Sequence, residues 1–288
     1  MKDLNYQLMK LCRENRDGSF STQATRRRIL DLIANQLHEL GYQHMQAKSL
    51  KPKHIDAVVS LWKDQSISVG TFKNRLSALR WWANKVGKAD MIQKDNKAYG
   101  IGNRSYVGEE SKAKILDEKQ LEKVSDAYVR LSLRLQAEFG LRREEAIKFS
   151  PNYAIKDDYI KLKPTWTKGG RMRTVPIRTD EQRRLLKEVR KLAKGGALIP
   201  PNKNYEKQLH RYERQVRDAC IKNPHGLRHA YAQRRYEELT GWKAPLAGGP
   251  ASKSLNSDQR ARDKGARETI SKELGHTREQ ISATYLGR

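Results

Sequence analysis

Apolar side chains recur at helical spacing through the first hundred residues. Over residues 22–40, TQATRRRILDLIANQLHEL, the side chains of Ile29, Leu32, Ile33, Leu37 and Leu40 fall on one face, and Gly41 follows as a stop. Residues 52–62 repeat the pattern in shorter form with Ile55, Val58, Val59 and Trp62. The stretch SVGTFKNRLSALRWWANKVG, 68–87, predicts a helix that buries Phe72, Leu76, Leu79 and Trp82 and carries Lys73, Arg75 and Arg80 largely outside that stripe. The periodicity lapses over 98–114, AYGIGNRSYVGEESKAK, where glycine and mixed charge read as a linker. The expected division is a helical domain over 1–106, a linker over 107–113 and a second domain over 114–288.

The second domain mixes periods. Asp117 followed by Gln120 reads as a capping box opening a helix through LEKVSDAYVRLSLRLQAEF. Residues 159–177, YIKLKPTWTKGGRMRTVPI, hold two extended runs around Gly169-Gly170, a β-hairpin pattern. Thr179 and Gln182 open a helix through Leu192, and Gly195-Gly196 ends it. Helices are expected over 204–221 and 225–239, a Gly/Pro/Ser-rich loop over 240–265, a last helix over 266–274, and a final segment from near Thr277. The fold class is therefore two-domain, with an all-α N-terminal domain and a mixed, mainly α C-terminal domain carrying a small antiparallel β-sheet.

Charge moves the question from fold to partner. The 288 residues carry 59 Lys+Arg against 33 Asp+Glu, a net charge of +26. Residues 1–106 hold 19 basic and 9 acidic groups (+10), leaving 40 and 24 (+16) for the rest, so both halves can face a polyanion. Nucleic acid is the expected partner, although charge alone also fits an RNA-associated, ribosome-like protein. Hydrophobic content of 37% beside 32% charged is a core-forming, soluble composition. Cys12 and Cys220 lie far apart without a CxxC partner, which argues against a disulfide framework or zinc ribbon. No apolar run approaches the ~20 residues of a membrane span, and MKDLNYQLMKLCREN lacks a signal-peptide core. These features predict a reduced, cytoplasmic protein with no membrane association.

Four stretches hold candidate chemistry: GLRREEAIKF (140–149), TKGGRMRTVPI (167–177), HGLRHAY (225–231) and LGHTREQISATYL (274–286). Singly, each has a plain reading. Arg142 is one basic residue beside Arg143, and Lys168 decorates a turn followed by Arg171 and Arg173. His225 and His229 share a helix face at i, i+4, but no carboxylate or cysteine cluster completes a metal site. Tyr285 is one of 12 tyrosines, and Ile281 would make it a core contact.

In order, they read Arg-x-x-Glu, a turn lysine, His-x-x-Arg, then Gly-His with a tyrosine nine residues on. That order resembles the tyrosine recombinase/phage integrase family. The helical segment 68–87 is similar, more weakly, to the family's DNA core-binding domain. The resemblance implies a clamp on duplex DNA and a covalent 3′-phosphotyrosyl intermediate. Tyr285 would be the nucleophile, and Arg142 and Arg228 would hold the non-bridging phosphate oxygens where charge develops. His225 would accept or shuttle the proton that a phenol of pKa near ~10 must lose. Lys168 would protonate the leaving 5′-hydroxyl, His276 would bond the phosphate and buttress the tyrosine, and Glu145 would support the site. Lys73, Arg75, Arg80, Arg171 and Arg173 are expected DNA contacts. No metal and no cofactor is expected, because arginines supply the cationic role. The implied partners are double-stranded attachment sites, a homo-tetramer on synapsed DNA, and accessory DNA-bending or directionality factors.

Two features depart from the family's pattern. Arg228 and His276 are 48 residues apart, and the excess coincides with 240–265, either a tolerated surface insertion or a flap contacting DNA or a protomer. Leu286, Gly287 and Arg288 follow Tyr285, where many integrases carry a longer segment that docks into a neighbouring protomer, so either coupling runs through another element, such as the 240–265 loop, or the exchange is weaker here. A type IB topoisomerase or telomere resolvase shares the chemistry, and a catalytically inactive integrase relative shares the charge. All of these readings predict that affinity for duplex DNA falls steeply and log-linearly with salt, measured as Kd across a salt series, because phosphate neutralisation releases counterions.

Overall fold

A computed structural model describes every residue except 1, 2, 104, 109, 168 and 277. The chain divides into two compact units, residues 1–104 and 105–288. The first is all-helical: α1 (Asp3–Glu14) packs on α2 (Phe20–Glu39), with α3 (Pro52–Asp64) and α4 (Val69–Lys85) completing the bundle. Ser19 and Ser68 cap α2 and α4 by accepting from Thr22 N and Thr71 N. Pro52 stands at the start of α3, where a missing N–H costs nothing. Trp62 and Trp82 are wholly buried, and each indole N–H has an acceptor, Gln36 Oε1 at 2.9 Å and the Ala47 carbonyl at 3.0 Å. Two apolar positions differ from expectation, since Leu32 and Leu40 are exposed at the rim of the stripe. Helix α1 is an element that periodicity did not announce, for its buried apolar stripe is only Leu4 and Leu8.

In the second unit the helix expected from Asp117 is two helices. Asp117 caps α5 (Glu118–Glu122) through Gln120 N, but the Gln120 amide turns away to the Cys220 carbonyl, so the box is not reciprocal. The chain restarts at Asp126, whose carboxylate accepts from Tyr128 N and Val129 N and caps α6 (Ala127–Phe139). Short helices α7 (Arg143–Ile147) and α8 (Pro151–Ala154) lead to strands β1 (Tyr159–Leu162) and β2 (Arg173–Pro176). The strands are antiparallel, with Ile160 opposite Val175 and Leu162 opposite Arg173. Residues 163–172 join them through a 3-10 turn at Pro164–Trp166, a longer connection than a tight turn at Gly169-Gly170. Thr179 and Gln182 form a reciprocal capping box on α9 (Asp180–Ala193). Helices α10 (Tyr205–Asp218) and α11 (Gly226–Thr240) follow.

The loop expected over 240–265 ends earlier than predicted. After 3-10 turns at Pro245–Ala247 and Ser252–Ser254, Asn256 caps α12 (Ser257–Glu273), and Gln259 closes a reciprocal box. Periodicity missed this first half of α12 because its one buried residue there is the polar Asp263, and apolar burial begins only at Ala266. A 3-10 turn, Glu279–Ser282, then runs into α13 (Ala283–Leu286). The core joins Leu135 and Phe139 of α6 to Tyr231 and Tyr236 of α11, Ile270 of α12 and Leu162 and Val175 of the sheet. Residues 107, 108 and 110–113 lack regular structure, and Gln233 donates to Ser111 Oγ at 2.9 Å. Among the described residues, no helix is long and apolar enough to cross a membrane.

The capping role of Asn256 gives a direct check on α12. Asn256→Ala should cost about 1 kcal/mol in urea unfolding of the full chain, and Asn256→Asp should restore most of it.

Candidate active site

The site begins where α6 stops. Gly140 ends that helix in the left-handed region at φ 61°, and a Cβ there would lie 2.5 Å from Tyr231 Cδ1, so the position admits only glycine. Its carbonyl accepts from Arg228 Nη1, while the carbonyl of Leu274, which follows α12, accepts from Arg228 Nη2. Arg228, in the first turn of α11, is 0% exposed. Its Nε faces the Tyr285 hydroxyl at 3.4 Å, and its Nη2 lies 3.4 Å from His276 Nε2. Burial lowers the Arg228 pKa to about 10, which leaves the group cationic at neutral pH.

Tyr285, on α13, is 6% exposed. The His276 ring stacks on it at 5.4 Å, the His229 ring lies 4.5 Å away at a tilt, and the His225 ring lies at 6.2 Å. All three imidazoles are held below their ordinary value. His276 falls to about 3, first through burial and then through the charges of Arg228, Arg142 and Arg173. His229 falls to about 4, first through burial and then through His225, Lys112 and Arg228. His225 keeps surface exposure, but lost solvation beneath its ring and the Arg228 and Arg142 charges lower it too. At neutral pH these rings are neutral, so each has a nitrogen able to accept a proton.

A second cluster adjoins the first. Glu145, 0% exposed, accepts from Arg142 N at 2.6 Å and from Arg142 Nη1 at 2.9 Å. On its other side Arg173 grips both carboxylate oxygens, at 2.5 and 2.7 Å, and donates from Nε to the Glu273 carbonyl at 2.9 Å. Burial alone would raise the Glu145 pKa, but the Arg173 hydrogen bonds and the charges of Arg173, Arg228 and Arg142 outweigh it and bring it to about 2. Gly275 leaves room for this pair, for a Cβ there would meet Arg173 Cδ at 2.8 Å.

The expected site residues thus separate into groups. Arg228, His276, Tyr285 and His225 come together, and Arg142 and Glu145 stand beside them. Lys168 lies outside the described residues. Arg171 is exposed in the 163–172 connection, where its carbonyl accepts from Thr167 Oγ1 at 2.6 Å. Arg173 is a correction: expected to contact DNA, it is buried and spent on Glu145. Strand alternation was the overlooked signal, because Arg173, Val175 and Ile177 share one face of β2 and its continuation, and that face is inward. Lys73, Arg75 and Arg80 belong to the helical unit. There Arg80 clamps the Gln93 carbonyl and Asn96 Oδ1, and Arg75 lies over the Trp62 ring at 5.4 Å with Nη1 buried and without an acceptor. Sequence reading also missed Gln233, which donates to the Tyr285 carbonyl at 2.9 Å, and Glu273, which accepts from the Tyr231 hydroxyl at 2.7 Å.

A helical N-terminal domain followed by a mainly helical domain with a two-stranded sheet is the fold of tyrosine recombinases. A family profile described as "Phage integrase, N-terminal" matches residues 1–92, and one described as "Integrase" matches residues 102–234. The chain belongs to the tyrosine recombinase/phage integrase family. Among solved structures it is similar to XerH site-specific recombinase bound to palindromic difH substrate in a post-cleavage complex. That match has 20% identity and TM-score 0.59, and covers 98% of this chain and 80% of that one. The Tn1549 transposon integrase in complex with circular intermediate DNA matches at 14% identity and TM-score 0.56, over 100% of this chain and 96% of that one. A lambda integrase tetramer bound to a Holliday junction matches at 14% identity and TM-score 0.57, over 97% and 76%. At these identities the likeness speaks to fold. No curated protein sequence matches the chain significantly.

The depressed Glu145 value carries a pH signature. A folded pKa of about 2 against an ordinary 4.5 means the carboxylate's contribution is complete above about pH 4.5 and is lost as pH falls through about 2. Glu145→Gln should therefore flatten the loss of stability across that window in urea unfolding. At neutral pH it should cost roughly 3–5 kcal/mol, because it leaves Arg173 buried without its counter-charge.

Proposed function

We propose that this protein is a site-specific DNA recombinase that cleaves and rejoins duplex DNA through a 3′-phosphotyrosyl intermediate. The observation that carries this reading is the Tyr285 hydroxyl held 3.4 Å from Nε of a wholly buried arginine, Arg228, under the His276 ring. In cleavage, the phenol oxygen attacks the scissile phosphorus and the bond from phosphorus to the 5′ oxygen breaks. The 3′ end stays esterified to Tyr285. Neutral His225 takes the phenolic proton, and Lys168 gives a proton to the departing 5′ oxygen. Arg142, whose guanidinium keeps partial exposure, and Arg228 stabilise the charge that builds on the non-bridging oxygens. Glu145 and Arg173 hold Arg142 in place. Because the phosphotyrosyl ester conserves the energy of the bond it replaces, a 5′-hydroxyl from another strand reverses the step and completes exchange without ATP.

In this reading residues 1–106 form the core-site-binding domain, 107–113 the linker and 114–288 the catalytic domain. Lys73, Arg75 and Arg80 of α4 are the helical unit's proposed DNA contacts. The named neighbours were solved on difH, circular-intermediate and Holliday-junction DNA. They support double-stranded attachment sites as substrate, a homo-tetramer on synapsed DNA as the working assembly, and a mobile genetic element as the source. Accessory DNA-bending or directionality factors and action in the cytoplasm complete the proposal.

Covalent capture tests it. Incubated with a pool of nicked duplexes carrying a randomised core, the protein should yield a denaturant-resistant adduct whose recovered sequences define the site. Tyr285→Phe should abolish the adduct and keep DNA binding. An adduct that persists in Tyr285→Phe, or a wild-type protein that captures no duplex, would overturn the reading.

A further inference from the structure

Tyr285 stands on a helix of four residues, Ala283–Leu286. So short a helix does not hold itself, since nucleation costs more than its few hydrogen bonds return. Contacts with residues far away in the chain hold it instead. Gln233 of α11 donates to the Tyr285 carbonyl at 2.9 Å, and Thr284 Oγ1 donates to the Tyr106 carbonyl at 2.8 Å. Arg267 of α12 donates from Nη1 to the Gly287 carbonyl at 2.9 Å.

Arg267 is the least expected of these. It is 4% exposed, with Nε bonded to both oxygens of Asp263 at 2.8 and 2.9 Å, and Nη2 reaches Ser252 Oγ at 3.4 Å. Asp263 in turn accepts from the Tyr236 hydroxyl of α11 at 2.5 Å. A buried ion pair is a poor source of stability compared with apolar packing, so what distinguishes this one is its direction. A guanidinium is a rigid planar fork. With Nε fixed on Asp263, Nη1 is aimed at the carbonyl two residues beyond Tyr285. The opposite side is closed by Leu246: Gly287 adopts φ 78°, and a Cβ there would lie 2.9 Å from Leu246 Cγ.

We propose that Arg267, oriented by Asp263, is a positioning residue for Tyr285, and that with the 245–252 segment it fixes the backbone leaving α13 so that the phenol stands over Arg228 before DNA arrives. This inference rests on the recombinase reading above for its catalytic consequence, but not for its structural one. It gives the long Arg228–His276 connection a task inside its own chain.

The test uses the full-length protein with Arg267→Met and the milder Arg267→Lys. Affinity for the randomised nicked-duplex pool should stay near wild type in both. The single-turnover rate of adduct formation at saturating DNA should fall roughly 10- to 100-fold in Arg267→Met, the scale of a nucleophile displaced by about an ångström. Arg267→Lys, which keeps the charge without the fork, should fall between. Amide exchange of residues 282–288 in the free protein should rise while that of α6 and α9 stays unchanged. A wild-type adduct rate in either folded variant, or unchanged exchange over 282–288, overturns the proposal. If the wild-type protein captures no DNA at all, the recombinase reading fails, and the exchange measurement alone decides whether Arg267 anchors the segment.

Discussion

A guanidinium with no exposure sets the terms for the second unit. Removing Arg228 from water costs several kcal/mol unless its donors are met, and the fold meets them with the ends of helices. Helix α6 stops at Gly140 and α12 at Leu274, and each surrenders a carbonyl to Arg228. Helix C-termini carry both unpaired carbonyls and the negative end of the helix dipole, so the same two endings supply hydrogen bonds and field. The glycine requirements follow from this. Gly140 must turn left-handed beneath Tyr231 to aim its carbonyl, and Gly275 must leave Arg173 room behind the other ending.

Three arginines, Arg142, Arg173 and Arg228, crowd around one buried carboxylate, Glu145. Burial first, and then the excess of positive charge, keeps the histidines neutral: a proton on any of them would sit in lost solvation and in the field of the cations. A neutral imidazole above Tyr285 can take a proton, which an imidazolium cannot. The same excess suits an incoming phosphodiester, whose negative charge would complete the pairing that Glu145 alone leaves unfinished. One arrangement of charge therefore keeps the imidazoles unprotonated and the pocket receptive to an anion.

Much of this was legible in the chain, and what was not has physical reasons. The helical first unit followed from apolar spacing because its core is apolar. The positions of Arg142, Glu145, His225, Arg228, His276 and Tyr285 came from motif order, since no periodicity singles them out. Arg173 was misassigned because its charge was weighed and its parity in β2 was not; alternation with Val175 pointed inward. Helix α12 was cut short for the mirror reason, as its first half buries only Asp263, a polar side chain that a search for apolar residues passes over. Asn256 and Gln259 were the readable signal there. Where polar side chains satisfy one another inside the protein, composition describes the partners but not the burial.

The placement of Tyr285 follows a related logic. In the proposed mechanism the nucleophile has to be located closely and yet be free to change its bonding partner. The backbone of α13 is located by side chains from two helices, Gln233 and Arg267, which hold the carbonyls of Tyr285 and Gly287. The phenol itself is held more loosely, since its contact with Arg228 Nε is long at 3.4 Å and its other neighbours are rings that constrain orientation more than position. Rigidity is thus invested in the main chain and withheld from the hydroxyl. An element as short as α13 could not divide the task in this way by itself, which is why residues distant in sequence, and outside every catalytic motif, are needed to support it.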